Sequence, residues 1–211
     1  MEKKRIYNLV ILDASGSMQC IKQQAINGFN ETVQTIKAAQ EKFENQEHLV
    51  SLVVFSSSET TTIYDQVAAV EVKELNDESY RPNCGTPLFD AIGIATAHLR
   101  KSVKIDDNVL VTIITDGEEN SSREYNGKAI KSLIEELKSK GWVFTYIGAN
   151  QDVEQVAATM GINNTMAFQS DAHGTHMMFA RERSSRMAWC TRVADGESIE
   201  ILQENFFEDE E

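Results

Sequence analysis

Three separated segments of the chain carry oxygen-bearing side chains in patterns that suit a hard cation. The first is Asp13-Ala14-Ser15-Gly16-Ser17, the second is Thr86 within Cys84-Gly85-Thr86-Pro87-Leu88, and the third opens at Asp116-Gly117. Asp13, Ser15, Ser17, Thr86 and Asp116 together offer two carboxylates and three hydroxyls, with no His or Cys among them. Such ligands suit Mg²⁺, Mn²⁺ or Ca²⁺ rather than zinc or copper. So few protein ligands leave coordination positions for water, which favours Mg²⁺ or Mn²⁺ over a calcium cage. Neutral hydroxyls leave the cation much of its positive charge. An incoming Asp or Glu carboxylate can then complete the shell, and direct coordination offsets the cost of desolvating it.

The flanking sequence indicates how three such segments meet. Apolar, β-branched runs at 6–12, 49–55, 109–115 and 143–147 read as strands. A short strand at 60–64 lies close enough to the second to pair with it as a hairpin, and 165–168 reads as a sixth, edge strand. Apolar residues at helical spacing mark helices near 19–45, 88–102, 124–140, 153–160 and 173–190. Strands alternating with helices predict a mostly parallel sheet covered on both faces. In a doubly wound sheet, ligands bind beyond the carboxyl ends of the strands, where strand order reverses. Strands one and four are the natural neighbours there, so Asp13 and Asp116 should face one another across a crevice. The Thr86 loop joins strand four through the intervening helix and should lie over the same crevice.

D-A-S-G-S, the C-G-T-P-L threonine loop and T-D-G-E-E-N, in this order, resemble the von Willebrand factor A-type (VWA) domain. They match every ligand position of its metal-ion-dependent adhesion site (MIDAS). D-x-S-x-S alone is a weak signal; the threonine loop and the later T-D-G at suitable distances make it specific. The resemblance runs over roughly residues 5–190. It implies a Rossmann-like α/β fold with a six-stranded, mostly parallel sheet and one short antiparallel edge strand. It implies that Ser15, Ser17 and Thr86 coordinate Mg²⁺ directly, with Mn²⁺ or Ca²⁺ as alternatives, and that Asp13 and Asp116 bind directly or through water. Gly85, Gly117, Glu118 and Glu119 would form the partner-facing rim, with Asn120 beside them. The implied partner is another protein presenting an acidic residue, in a larger assembly such as an AAA-type ATPase complex, for a small bacterial-type intracellular member without enzymatic activity. The family often has Gly where Cys84 stands, so this chain places a thiol beside the site. A competing reading is a haloacid-dehalogenase-like phosphoryl-transfer enzyme with Asp13 as nucleophile. That family carries a second Asp two residues on, where this chain has Ser15, and no G-x-x-x-x-G-K-[ST] nucleotide loop is present.

The 211 residues fit one domain, read as 1–194, followed by an acidic tail at 195–211 that is expected to be irregular and solvated. A net charge of −13 argues against nucleic acid, whose phosphates need clustered Lys and Arg, and against anionic membrane surfaces. No apolar stretch is long enough to span a bilayer. The opening M-E-K-K-R-I-Y-N-L-V-I-L-D is a poor signal peptide, its apolar run being interrupted by Asn8 and ended by Asp13. These features point to the cytoplasm. The three cysteines form no disulfide framework and are expected to be free thiols, with Cys20 and Cys190 as packing or bystander residues. His173 and His176 are expected at the surface, and Arg181, Arg183 and Arg186 on a helix face with ordinary ion pairs. Phe206 and Phe207, beside E-D-E-E, form a candidate docking segment that could present a carboxylate to a neighbouring molecule's metal site.

Overall fold

The computed structural model describes residues 3–149 and 152–207. Six strands form one sheet: β1 (Lys4–Asp13), β2 (Gln46–Phe55), β3 (Thr60–Ala68), β4 (Asn108–Thr115), β5 (Trp142–Ala149) and β6 (Asn164–Phe168). Their spatial order is β3-β2-β1-β4-β5-β6, parallel throughout except for antiparallel β3. The chain winds outward in one direction after β1 and in the other after β4. Strand order therefore reverses between these two, which opens a crevice at their carboxyl ends. The expected mostly parallel sheet with one antiparallel edge strand is what the structure shows, although β3 runs four residues further than the 60–64 segment.

β1 explains why both faces are covered. Ile6, Val10 and Leu12 belong to one apolar core, while Tyr7, Leu9 and Ile11 belong to the other, as alternation in a strand requires. On the first face lie α1 (Lys22–Lys42) and α5 (Ala172–Asp195). Ile26, Phe29, Val33 and Ile36 of α1 meet Phe179 and Trp189 of α5 in that core. The two helices approach closely at Gly28, where an added Cβ would overlap the Phe179 ring. On the second face lie α2 (Leu88–Leu99) and α3 (Gly127–Lys138), which contribute Leu88, Ile92, Ile130 and Ile134, and α4 (Val153–Thr159) adds Val153 and Ala157. The long first helix expected from residue 19 starts instead as a 3-10 turn, Gly16–Ile21, so the backbone coils tightly just after the first oxygen-rich segment.

Two expectations are corrected. Arg181, Arg183 and Arg186 do not share a solvent-facing stripe of ordinary ion pairs. Arg183 pairs with Glu31 at the surface, and Arg181 donates to the Phe207 carbonyl. Arg186, 1% exposed, donates to Glu182, Asn8 Oδ1 and Thr112 Oγ1. Thr32 also donates to Glu182, so the ion pair is buried with its hydrogen-bonding capacity engaged, as burial of charge demands. Asn8 continues the network to His48, and His48 contacts Gln46. Burial, then the Arg186 charge, pushes His48 down to about 4.

The tail is the second correction. Ser198 caps a short α6 (Ile199–Gln203), and Gln203 donates to the carbonyls of Lys138 and Trp142. Phe206 and Phe207 pack edge-on with centroids 4.9 Å apart and are 1% and 5% exposed, inside the first core. Two phenyl rings carry more apolar area than a solvated end leaves in water, so the tail folds back through Phe207. That burial removes Phe206 and Phe207 as a free docking segment. The E-D-E-E carboxylates of the tail end lie outside the described residues.

Candidate metal centre

The crevice between β1 and β4 gathers the oxygen-rich segments. Asp13 ends β1 and is fully buried. Its Oδ1 accepts from the Ser15 amide at 2.6 Å, and its Oδ2 accepts from Thr115 Oγ1, the last residue of β4, at 2.6 Å. The buried Tyr80 hydroxyl donates to the Asp13 carbonyl at 2.6 Å, closing the site from beneath. The 3-10 turn then brings Ser17 back beside Ser15, with hydroxyls 3.2 Å apart. Ser17 Oγ donates to Asp116 Oδ1 at 2.5 Å, which joins the first and third segments directly. Thr86 completes the group: a Cβ added at Gly117 would lie 3.3 Å from Thr86 Oγ1 and 3.7 Å from Ser17 Oγ. Asp13, Ser15, Ser17, Thr86 and Asp116 are thus brought together in one place.

The Thr86 loop is held from two sides. Asn120 Oδ1 accepts from the Thr86 amide at 2.8 Å, and the Asn120 amide donates to the Thr86 carbonyl at 3.1 Å. On the other side, the Gly16 amide donates to the Cys84 carbonyl and the Asn83 amide to the Ala14 carbonyl. Cys84 adopts φ 58°, a left-handed conformation that an L residue occupies at a cost. Gly85 sits tightly, since a Cβ there would overlap Ser121 Oγ and crowd Asn120 Oδ1, so a side chain would displace the Asn120 clamp on Thr86.

The expected rim divides. Glu118 is exposed beside Gly117. Glu119 turns inward instead and accepts from the amides of Phe89, Ser121 and Ser122 and from the Ser122 hydroxyl. It closes the first turn of α2, so its carboxylate is committed to the fold rather than to a partner. Asp90 reciprocates from α2, accepting from the amides of Arg123, Glu124 and Tyr125.

Four contributors escaped sequence reasoning: Tyr80, Thr115, the Thr86-clamping role of Asn120, and Ser170. Ser170, between β6 and α5, donates to Asp116 Oδ2 at 3.2 Å. A hydroxyl directly preceding Asp116 was the one available signal for Thr115; Tyr80 and Ser170 carry none in the local pattern. The exposed Cys20 touches Ser170 and Cys84 is exposed, whereas Cys190 is buried and pushed up to about 12 by burial; all three are free thiols. His173 and His176 are exposed.

The donor set fits a hard cation. Its oxygens come from two carboxylates and three hydroxyls, and among the described residues no group of three or more His, Cys, Asp or Glu is placed to hold a metal ion. Burial raises Asp13 to about 6, opposed by its bonds from Thr115 and Ser15 and assisted by the neighbouring Asp116 charge. A dication at this point would reverse that balance by favouring both carboxylates in their charged form. Asp13 accepts from the Ser15 amide and the Thr115 hydroxyl, and Ser15 stands where the competing phosphoryl-transfer reading needs a second Asp.

A doubly wound sheet with D-x-S-x-S, threonine and aspartate segments meeting at its switch point defines a class of domain, and comparison with known proteins agrees. Residues 9–181 match the family model described as von Willebrand factor type A domain, so the chain belongs to that family. The family consists of protein-interaction modules, often metal-dependent, and its members are mostly non-enzymatic. Comparison with curated proteins gives no match.

Among solved structures, a von Willebrand factor type A protein from Catenulispora acidiphila is similar, with a TM-score of 0.58 at 12% identity, 88% of this chain and 43% of that one being covered. Proximal thread matrix protein 1 from the mussel byssus gives 0.59 at 16% identity, with 87% and 46% covered. The SpRpn10 VWA domain gives 0.52 at 10% identity, with 83% and 94% covered. This chain therefore spans less than half the length of the first two. Among the described residues no helix is long and apolar enough to cross a membrane.

Proposed function

We propose that this chain is a divalent-cation-dependent binding module that captures an Asp or Glu carboxylate of another protein at a metal-ion-dependent adhesion site. The observation that carries the reading is the hydrogen-bonded convergence of Asp13, Ser15, Ser17 and Asp116 with Thr86 alongside, three of the five being neutral hydroxyls. Mg²⁺ is the proposed ion, with Mn²⁺ or Ca²⁺ able to replace it. Ser15, Ser17 and Thr86 would hold it directly. Asp13 and Asp116, anchored by Thr115 and Ser170, would hold it directly or through water. When bound, the cation supplies an electrophilic point for the partner's carboxylate; the surrounding chain fixes its position and leaves one side open at exposed Ser17.

The reading includes no catalytic step and sets the module in a larger intracellular assembly of the AAA-type ATPase kind. Affinity capture with and without EDTA tests it. A partner retained by the wild type in Mg²⁺, lost on chelation and lost with Ser15→Ala supports the metal bridge. A partner held equally under all three conditions removes it.

A further inference from the structure

The turn between β2 and β3, Ser56-Ser57-Ser58-Glu59, holds none of the five candidate ligands. All three of its serine hydroxyls nevertheless bond to the loop that carries Thr86. Ser56 Oγ and Ser58 Oγ donate to Asn83 Oδ1 at 3.0 and 2.6 Å. Ser57 Oγ accepts from the Gly85 amide at 2.8 Å, and the Ser57 amide donates in return to the Gly85 carbonyl at 2.9 Å.

Both backbone polar groups of Gly85 are therefore engaged by one residue. The same holds for Thr86, whose amide and carbonyl both meet Asn120. In each clasp a side-chain oxygen accepts the loop amide, and a backbone N–H donates to the loop carbonyl. The clasps come from either side of β1, one from the turn after β2 and one from the loop after β4. They converge at Gly85, where a Cβ would lie 3.3 Å from Ser57 Oγ and 2.8 Å from Asn120 Oδ1.

One clasp does not suffice, because Cys84 sits at φ 58°. A residue with a side chain leaves that conformation unless its surroundings over-determine it. Asn120 fixes residue 86 and leaves the rotations at 84 and 85 free. Ser57 fixes residue 85, and the Gly16 amide fixes the Cys84 carbonyl.

We propose that Ser57 is a positioning residue for the cation, acting through Gly85 to hold the Thr86 hydroxyl where the ion needs it. This role rests on the metal-site reading. A ligand hydroxyl that must be ordered during binding gives back part of the affinity, and the Ser57 clasp orders it beforehand. Ser57 is exposed, so truncating it opens no cavity in the core. The edge hairpin β2–β3 thereby joins β1 and β4 in setting the affinity of the centre.

The test uses the full chain and two readouts. In EDTA, hydrogen exchange of the Gly85 amide should be slow in the wild type and about tenfold faster in Ser57→Ala. Ser57→Thr keeps the oxygen and should restore the protection. In calorimetric titration, Ser57→Ala should bind Mg²⁺ about tenfold more weakly, and Ser57→Thr within about twofold of the wild type. Gly28→Ala, whose added methyl meets Phe179 rather than these loops, should titrate as the wild type does, which separates positioning from a general loss of stability. Unchanged Mg²⁺ affinity in Ser57→Ala, or no rescue by threonine, overturns the proposal and leaves the metal reading standing. A wild type that protects the Gly85 amide yet takes up no Mg²⁺ overturns the metal reading, and this role of Ser57 with it.

Discussion

Ser17 and Asp116 are 99 positions apart in sequence, yet the Ser17 hydroxyl donates to the Asp116 carboxylate across 2.5 Å. This bond joins the loop after β1 to the loop after β4, the two strands between which the sheet reverses direction. Substituting Ser17→Ala removes one hydroxyl from the centre while leaving the exposed backbone turn intact. Stability without Mg²⁺ should fall by only about 1 kcal/mol. Mg²⁺ affinity, measured by titration calorimetry, should fall much further.

Asn120 offers a way to separate positioning from ligation. It clamps Thr86 through its side chain and its amide. Asn120→Ala should weaken Mg²⁺ binding about tenfold although the residue is no ligand, because the Thr86 hydroxyl loses its fixed position. Asn120→Asp retains an acceptor for the Thr86 amide and should restore part of the affinity. Calorimetric titration of both variants checks this, and equal loss in both would contradict the clamp.

Gly28 tests the packing that holds α5 over the sheet. An added methyl meets the Phe179 ring, so Gly28→Ala should cost about 1–3 kcal/mol in urea unfolding despite the better helix propensity of alanine. Combining it with Phe179→Leu should recover part of that loss. A neutral or stabilising Gly28→Ala would show that α1 and α5 sit further apart.

The pH dependence has two separable parts. His48 is pushed down to about 4 from 6.5, so the folded state binds its proton less readily than the unfolded chain. Its contribution is complete above about pH 6.5 and is lost as pH falls towards 4, up to ~3 kcal/mol. His48→Gln should flatten denaturation midpoints over that window. Asp13 is raised to about 6 without a cation, so its charged form weighs against the metal-free fold as pH rises from about 4 to about 6. Protons compete with Mg²⁺ there, and the Mg²⁺-dependent gain in thermal midpoint should fade below about pH 6.

The buried pair Glu182–Arg186 gives a further check. Glu182→Leu alone strands a buried guanidinium and should destabilise by about 3–5 kcal/mol, whereas Glu182→Leu/Arg186→Met should cost much less. Guanidinium unfolding of both variants measures the difference.

These residues also show what sequence reading reaches. The β1 and β4 runs announce themselves because strands buried on both faces are continuously apolar, and Asp13 and Asp116 follow where those runs stop. Thr86 stands out because a proline-started helix follows it. Tyr80 and Ser170 reach the centre through tertiary packing, which local pattern does not encode. Glu182 and Arg186 look like surface charges because nothing in their spacing tells of α1 closing over them. Glu119 reads as a rim acid until the folded loop turns it onto the α2 amides. Phe206 and Phe207 are hidden among acids that outnumber them, and their burial becomes evident only once the α1–α5 layer exists to receive them.

The most direct measurement is the thermal midpoint against Mg²⁺ concentration for the wild type and Asp116→Ala. At a hundredfold excess over Kd a single site adds about 2.7 kcal/mol, a rise of roughly 5–10 °C for a chain of this size. The account predicts that saturable rise in the wild type and its loss in Asp116→Ala. A wild-type midpoint that ignores Mg²⁺, or an equal rise in the variant, would contradict it.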